Sequence, residues 1–575
     1  MQPFQNTDVS TQEWRWVGLW GGLLVTLTLL PYAWAILVSD NTWHFMGILA
    51  DPLDGASYFA KIQQGIEGNW LFETRYTPEQ HDTAGLFTFY LLLGHIARLL
   101  GFSTIVIYHL VRIATSLFMF MSLYWLGAHI WRRTRPRQLF FILSSVASGL
   151  GWLAVILFGP EFGTGSPDLS TPEAIPLYAA YTNPHFPLSI AGIALVAGIL
   201  LEAFRPGFTD APDVENGGIM LIMISVIVAI IQPPAMVSIG GALVLFIIVT
   251  AYNNYLQQGV PLRQVRWIDI LPWHEIRWGA MVWLPAFPVA LYYLLVFNTN
   301  SVMAEFNRQN DTMSPNIILT LAGYSPLLII AAPGIIRAVR HVERDGDQFM
   351  LLWLIVNGIV LYTPYDLQRR FFIGLIIPIT FFAVRSLEDH WLNTISKRWH
   401  QMALIMAFIL MLPSHAIALG IPLIGAVADR EAGADVGIVL EKDYVETYDW
   451  LDKVGREDEV VLASEYVSLW VPARTSLRVV YGHPAETVPA EERQGQVEDF
   501  FSGRNCQTLV FSDELPFQVD YVIWGPAERE LAEEIRADKP DRNYEDCIDQ
   551  LAQQLDSEQI KTFDSVTLFT VRELR

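Results

Sequence analysis

Apolar runs long enough to cross a bilayer recur along the first three quarters of this chain. A hydrocarbon core of about 30 Å takes about 20 apolar residues in a helix. Runs of that kind fall at 16–38, 103–131, 138–158, 186–204, 217–233, 234–255, 278–298, 316–337, 348–363, 370–384 and 402–426. This pattern predicts eleven spans, of which 217–233 and 348–363 are short. The first run follows some fifteen polar residues with no small-residue cleavage site, and so reads as a retained helix.

Lys and Arg in the short loops orient these spans. Arg132, Arg133, Arg135 and Arg137 lie between the second and third, Arg205 after the fourth, and Arg263 and Arg266 between the sixth and seventh. Arg337, Arg340 and Arg344 follow the eighth; Arg385, Lys397 and Arg398 follow the tenth. The alternate loops, Asp40 to Asp82, Glu161 to Glu173 and Glu305 to Asp311, are acidic or neutral. The N-terminus is therefore expected in the cytoplasm, and an odd number of spans puts the C-terminus outside. This bookkeeping needs 84–100 to lie in the outer interface with His95 and Arg98 on its wet side. The first outer loop, 39–102, then holds two helices, 55–67 and 84–100, joined by the polar turn Thr77-Pro-Glu-Gln-His81-Asp82.

From Asp429 the periodicity changes. Strand-like runs at 459–464, 477–481, 519–524 and 566–571 alternate with helical stretches at 441–454, 490–501, 526–535 and 543–554. The expected organisation is mainly α: a polytopic helical bundle over 1–428, followed by a soluble extracytoplasmic α/β domain over 429–575. That last segment carries 33 acidic and 15 basic residues, hence −18 of the formal −22. The acidic balance argues against nucleic acid as a partner. With 52% hydrophobic and 17% charged residues over 575 positions, the chain is too apolar for a soluble protein, and the bilayer is its expected partner. Its 19 Trp, 32 Phe and 21 Tyr suit interfacial belts. Nothing resembles a phosphate-binding glycine loop, which removes a nucleotide-driven pump.

On this topology several polar groups gather on the outer face. The first loop supplies Asp51, Asp54, Tyr58 and Glu73; later loops supply Asn183-Pro-His185, Gln232, Glu305 with Arg308, and Tyr365-Asp366-Leu-Gln-Arg369-Arg370. A carboxylate at the mouth of a membrane bundle is costly to bury and can serve as a base. Two helix-capping acids in a solvated loop are the plainer reading. Arg369 and Arg370 defy the charge rule, and guanidinium is a natural fork for phosphate. Their plainer role is to snorkel beside Asp366 or lipid headgroups. His185 beside a proline reads first as a hydrogen-bonded structural residue, and no cluster has metal-ligand spacing. The only two cysteines, Cys506 and Cys547, both fall in the acidic segment and are candidates for a disulfide; two unrelated buried thiols are the alternative.

A cytoplasmic N-terminus, an acid opening the first outer loop, two interfacial helices, many further spans and an outer soluble domain resemble the GT-C superfamily, the integral-membrane glycosyltransferases that use polyprenyl-phosphate-linked sugars. The likeness is closest to the protein O-mannosyltransferase and aminoarabinose transferase type. It is carried by Asp54, Tyr58 and Gly68-Asn-Trp70, then by Leu100-Gly101-Phe-Ser and Tyr108-His-Leu-Val-Arg112, within residues 16–131. Gly55 follows Asp54 where the family often has a second acid, so Asp51 is the other candidate base. Val479-Val-Tyr-Gly-His483-Pro-Ala-Glu-Thr487 resembles a segment of bacterial membrane proteins of this layout, with no chemistry attached.

The resemblance implies an inverting enzyme of a bacterial cell membrane. Asp54 would deprotonate the hydroxyl of a glycan, lipid or protein acceptor, and Arg369 or Arg370 would stabilise the departing lipid phosphate. Tyr58, Glu73, Asn183, His185, Gln232, Glu305 and Tyr365 would bind substrate. The lipid-linked sugar is a co-substrate, no cofactor is expected, and this chemistry does not strictly require a metal or nucleotide, a divalent metal being the alternative. A transporter or flippase of lipid-linked saccharide, or a non-catalytic envelope scaffold, are the alternatives.

Overall fold

The structure, a computed structural model, describes residues 9–205, 214–259, 261–341, 346–511, 515–538 and 544–572. It is mainly helical, with a small α/β region near the C-terminus. Among the described residues eight helices are long and apolar enough to cross a membrane, or nine if the bent pair Ile317–Gly323 and Ser325–Arg340 counts as one span. Asn216–Ile231 and Asp347–Val360 are shorter apolar helices. All eleven expected runs are thus helical, and the two that fall short are the two short runs of the sequence.

Two interruptions of the spans each have a local cause. The third run divides into Thr134–Val146 and Gly151–Phe158. Buried Asp168 accepts there from the backbone N–H groups of Gly149 at 3.0 Å and Gly151 at 3.2 Å, and from Ser166 Oγ at 2.6 Å. These donors are withdrawn from the helix ladder, and a carboxylate this deep needs them. The eighth run bends by 88° between Gly323 and Ser325, with Pro326 opening the second half. A Cβ on Gly149 would come within 2.2 Å of the Gly323 backbone, so only glycine permits this approach.

The chain divides into two compact units. The first comprises Met1–Leu29, Val111–Tyr292 and Thr312–Gly420; the second comprises Leu30–Leu110, Tyr293–Asp311 and Ile421–Arg575. In the first, the Gln368–Thr394 span is 89% buried over its apolar window and forms interior. The Trp273–Thr299 span, which runs into the second unit, is 11% buried and turns apolar side chains such as Leu284 and Phe287 outward, as a lipid-facing helix does.

The second unit joins the long loop after the first span to the C-terminal segment. Its loop helices, Pro52–Glu67 and Thr88–Leu100, meet at Gly65 and Gly94, where an added Cβ would lie about 2 Å from a backbone oxygen of the other helix. Tyr58 stacks on Tyr90 across the same seam, with centroids 4.2 Å apart. Strand β1 (Trp43–Phe45) pairs antiparallel with β2 (Val439–Glu441).

The remaining strands, β3 (Val460–Leu462), β4 (Arg478–Val479), β5 (Tyr521–Trp524), β6 (Ile560–Phe563) and β7 (Val566–Thr570), form one sheet in the order β4-β3-β5-β7-β6. Its β3 pairs parallel with β4 and β5, and the β5–β7 and β7–β6 pairs are antiparallel. Leu462, Val480, Phe500, Val522 and Phe569 fill the core beside it. Cys506 and Cys547 are bonded in that core, with Cα atoms 5.1 Å apart.

Candidate functional site

The Pro52–Glu67 helix begins with an unusual turn. Asp51 is its N-cap with φ 55°, a left-handed conformation uncommon outside glycine, and its side chain makes no capping hydrogen bond. Pro52 suits the first helical position, and the Gly55 N–H closes on the Asp51 carbonyl at 2.9 Å. A Cβ on Gly55 would meet Ile48 at 2.7 Å. This explains why no acid follows Asp54: the space is taken.

Asp54, Ser57, Tyr58 and Lys61 then share one helix face by their spacing of three, four and seven. Asp54 is partly exposed, whereas Ser57 and Lys61 are buried. Lys61 Nζ lies 2.7 Å from Glu486 Oε1, and Ser57 Oγ accepts from Lys61 while donating to that same oxygen. The Phe87 ring centroid is 4.2 Å from the ammonium and adds a cation–π contact. Burial pushes the Glu486 carboxyl up, but the Lys61 charge and then His483 outweigh it and hold it below the ordinary range. Lys61 and Glu486 therefore form a buried ion pair.

Around this pair the loop is tied to the C-terminal segment. Thr74 Oγ1 donates to the Glu486 carbonyl at 3.0 Å, and Tyr76 Oη to the Leu469 carbonyl at 2.9 Å. Buried Arg75 bridges Glu67 and Glu73; buried Arg478 holds Glu73 at 2.8 Å and Asp458 at 2.7 Å. Arg493 pairs with Glu79. Glu73 therefore stands between two guanidinium groups. Glu305 lies on the Ser301–Gln309 helix, where a hydrogen bond from Arg308 holds its carboxyl below the usual range. His95, expected on a wet face, stacks on Trp70 with centroids 3.7 Å apart.

The first unit holds the other sequence candidates. Asn183 and His185 are buried at the head of the His185–Ala203 helix, with the His185 ring 4.0 Å from that of Phe186. Gln232 is buried and opens the Pro233–Gln258 helix. Tyr365 is exposed. Arg369 and Arg370 sit in the turn Gln368–Phe372 that leads the Gln368–Thr394 span. Arg370 reaches Glu173, itself buried, at 3.4 Å. The Arg369 N–H donates to the Thr312 carbonyl at 2.9 Å, and its buried Nε has no hydrogen-bond partner among the described residues.

Structure thus adds Ser57, Lys61, Glu173, His483 and Glu486 to the residues of interest. Lys61 and Glu486 are 425 positions apart, a pairing that no local pattern marks. The sequence signals were a lysine and a serine one turn apart on the helix face that also carries Asp54, and the Val479–Thr487 segment, whose chemistry no local pattern gives. Among the described residues no three His, Cys, Asp or Glu side chains come together as metal ligands would.

No family model and no curated relative matches the chain by sequence. Among solved structures it is similar to the apo oligosaccharyltransferase of Archaeoglobus fulgidus, at 13% identity and TM-score 0.47, over 89% of this chain and 69% of that one. ArnT from Cupriavidus metallidurans bound to undecaprenyl phosphate is similar at 12% identity and TM-score 0.47, over 96% of this chain and 98% of that one. The arabinofuranosyltransferase AftD from Mycobacteria is similar at 12% identity and TM-score 0.41, over 99% of this chain and 40% of that one. Likenesses this remote leave the chemistry to the chain's own residues.

Proposed function

We propose that this chain is an integral-membrane glycosyltransferase of the GT-C type, which moves a sugar from a polyprenyl-phosphate donor to an acceptor hydroxyl on the extracytoplasmic face of a bacterial cell membrane. The observation that carries the reading is Asp54. It is a partly exposed carboxylate in the first turn of a helix whose other polar side chains on that face, Ser57 and Lys61, are bound to Glu486. Asp54 takes the proton of the acceptor hydroxyl, whose oxygen attacks the anomeric carbon as the bond to the lipid phosphate breaks. The phosphate departs with the electron pair, and the sugar is inverted.

In the other unit, Arg369 and Arg370 serve the donor phosphate, where preorganised charge contributes several kcal/mol, about 3–4 in comparable sites. The Arg369 guanidinium, with its unpartnered Nε, supports that role. Purified protein is incubated with a panel of polyprenyl-phosphate sugars and release of polyprenyl phosphate is read. No release from any donor overturns the proposal and favours transport, for which the 88° bend within one span is the supporting feature.

A further inference from the structure

Between the Pro233–Gln258 and Trp273–Thr299 helices, the first unit turns a connection of mixed aromatic and basic character outward. Trp267, Ile268 and Trp273 are 66%, 61% and 55% exposed, and large apolar side chains grouped in this way mark an interaction surface. Arg263, Arg266 and Arg277 flank them and are exposed as well. The connection is pinned from behind. Asn254 Nδ2 donates to the Ile270 carbonyl at 3.1 Å, His274 Nε2 donates to the Ala203 carbonyl at 2.8 Å, and the Ile270 and Trp278 side chains are buried. Trp273 Nε1 donates to the Ile268 carbonyl at 3.1 Å, which folds its ring back onto the turn Trp267–Ile270.

The neighbouring helices say what covers this surface. Ile248, Tyr252 and Leu256, spaced by four, run exposed along one face of Pro233–Gln258 into its last turn, where the connection begins. On the far side, Leu284 and Phe287 continue outward along Trp273–Thr299. Both helices are long and apolar enough to cross a membrane, so the exposed connection prolongs two lipid-facing stripes. Indole, an apolar body with one polar N–H, suits the boundary between hydrocarbon and headgroups. Guanidinium beside it suits the phosphates of anionic lipids. The acids nearby compete weakly: Asp269 lies 3.8 Å from Arg266 in an exposed pair, and Glu275 is half-buried in the first turn of the following helix.

We propose that residues 261–278 form a docking surface for the anionic phospholipids of the leaflet they face, with Trp267, Ile268 and Trp273 seated below the headgroups and Arg263, Arg266 and Arg277 on their phosphates. Tryptophan and arginine at a helix end resist displacement along the bilayer normal in both directions, so the surface sets the depth of the two spans that it joins. It holds whether or not Asp54 is a base.

The two native cysteines are bonded to each other, so Ile268→Cys carries the one free thiol of its chain. The full-length variant is coupled to the polarity-sensitive dye NBD and placed in nanodiscs of phosphatidylcholine mixed with phosphatidylglycerol. The expected result is blue-shifted emission that doxyl-labelled phosphatidylcholine quenches and aqueous iodide does not. Red emission open to iodide overturns the proposal. Blue emission that the doxyl lipid leaves unquenched overturns it too, because protein then covers the surface. A second arm reads the charge. Detergent-purified wild type and the double variant Arg263→Gln, Arg266→Gln are titrated with phosphatidylglycerol or phosphatidylcholine, and bound lipid is counted by native mass spectrometry. Each lost arginine is expected to weaken phosphatidylglycerol binding about fivefold, the counterpart of ~1 kcal/mol per basic residue at an anionic surface, with phosphatidylcholine unaffected. An equal loss of both lipids, or no loss of either, overturns the anionic preference. Neither arm reads sugar transfer, so the glycosyltransferase reading stands or falls separately.

Discussion

The two compact units hold two sets of arginines differently. In the second, Arg75 and Arg478 are buried, and each guanidinium meets two or more carboxylates, drawn from Glu67, Glu73, Glu457 and Asp458. In the first, Arg370 meets buried Glu173 at the head of a span, and Arg369 beside it keeps a buried Nε with no hydrogen-bond partner among the described residues. Arg75 keeps such an Nε as well, so the contrast lies in charge: guanidinium groups set among several carboxylates hold structure, because their charge is spent on fixed partners.

The contrast can be broken at its sharpest point. Asp54→Asn is expected to lower transfer by ~10²–10⁴, the usual cost of losing a general base, with the thermal midpoint unchanged. Asp51→Asn should cost much less. Near-wild-type release of polyprenyl phosphate by Asp54→Asn removes it from the mechanism, and a dead Asp51→Asn moves the assignment there.

On the structural side, Arg478→Leu takes the guanidinium from Asp458 and leaves Glu73 only Arg75, at 3.7 Å. Removing one partner of a buried ion pair costs about 3–5 kcal/mol, and the lower end applies because Asp458 is partly exposed. A fall in the thermal midpoint of the purified protein checks this, and an unchanged midpoint would erase the distinction between the units.

Smaller effects sharpen the comparison. Arg369→Lys or Arg370→Lys keeps charge but loses the fork, and should weaken donor use roughly tenfold while leaving the midpoint close to wild type. A double alanine variant with unchanged donor affinity would reduce both to interfacial anchors.

The smallest effect is a pH dependence. His483 is held neutral when folded, so the unfolded chain binds more protons once the pH drops below the ordinary histidine value of 6.5. Stability is full above that value and falls below it. Glu486, held under its ordinary 4.5, adds a second loss further down, as the pH falls through its folded pKa. The midpoint should therefore decline between pH 7 and 5, less steeply in His483→Asn.

What the sequence made legible was what a local window contains. The eleven apolar runs are helices because about twenty apolar residues in a row need no distant partner to declare themselves. The main strands near the C-terminus were readable from their β-branched runs; β6 was not, because Ile560-Lys-Thr-Phe563 is largely polar and lies partly exposed at the sheet edge. The helix Glu465–Arg474 was hidden by Pro472, and β1 by its length of three residues. In the candidate site, Asp54 and the arginines stood out as charges beside apolar runs. Lys61 did not, and the segment that holds His483 and Glu486 stood out with no chemistry attached, since the Lys61–Glu486 pairing spans 425 of the 575 positions.

The β1–β2 ribbon carries a consequence for how the chain is made. Two strands that share backbone hydrogen bonds must stand on one side of a bilayer, so the chain crosses an even number of times between Phe45 and Val439. Ten of the eleven runs lie between them, and counting Thr88–Leu100 as a crossing would break that parity. The partner of β1 also emerges from the ribosome roughly 400 residues later, a delay on the order of 20–80 s at ordinary synthesis rates. Throughout that interval Trp43–Phe45 is an unpaired edge and the Lys61 ammonium lacks its carboxylate. A nascent chain arrested before Val439 would therefore expose a defined, folding-incompetent face, the kind of surface that envelope chaperones and proteases recognise.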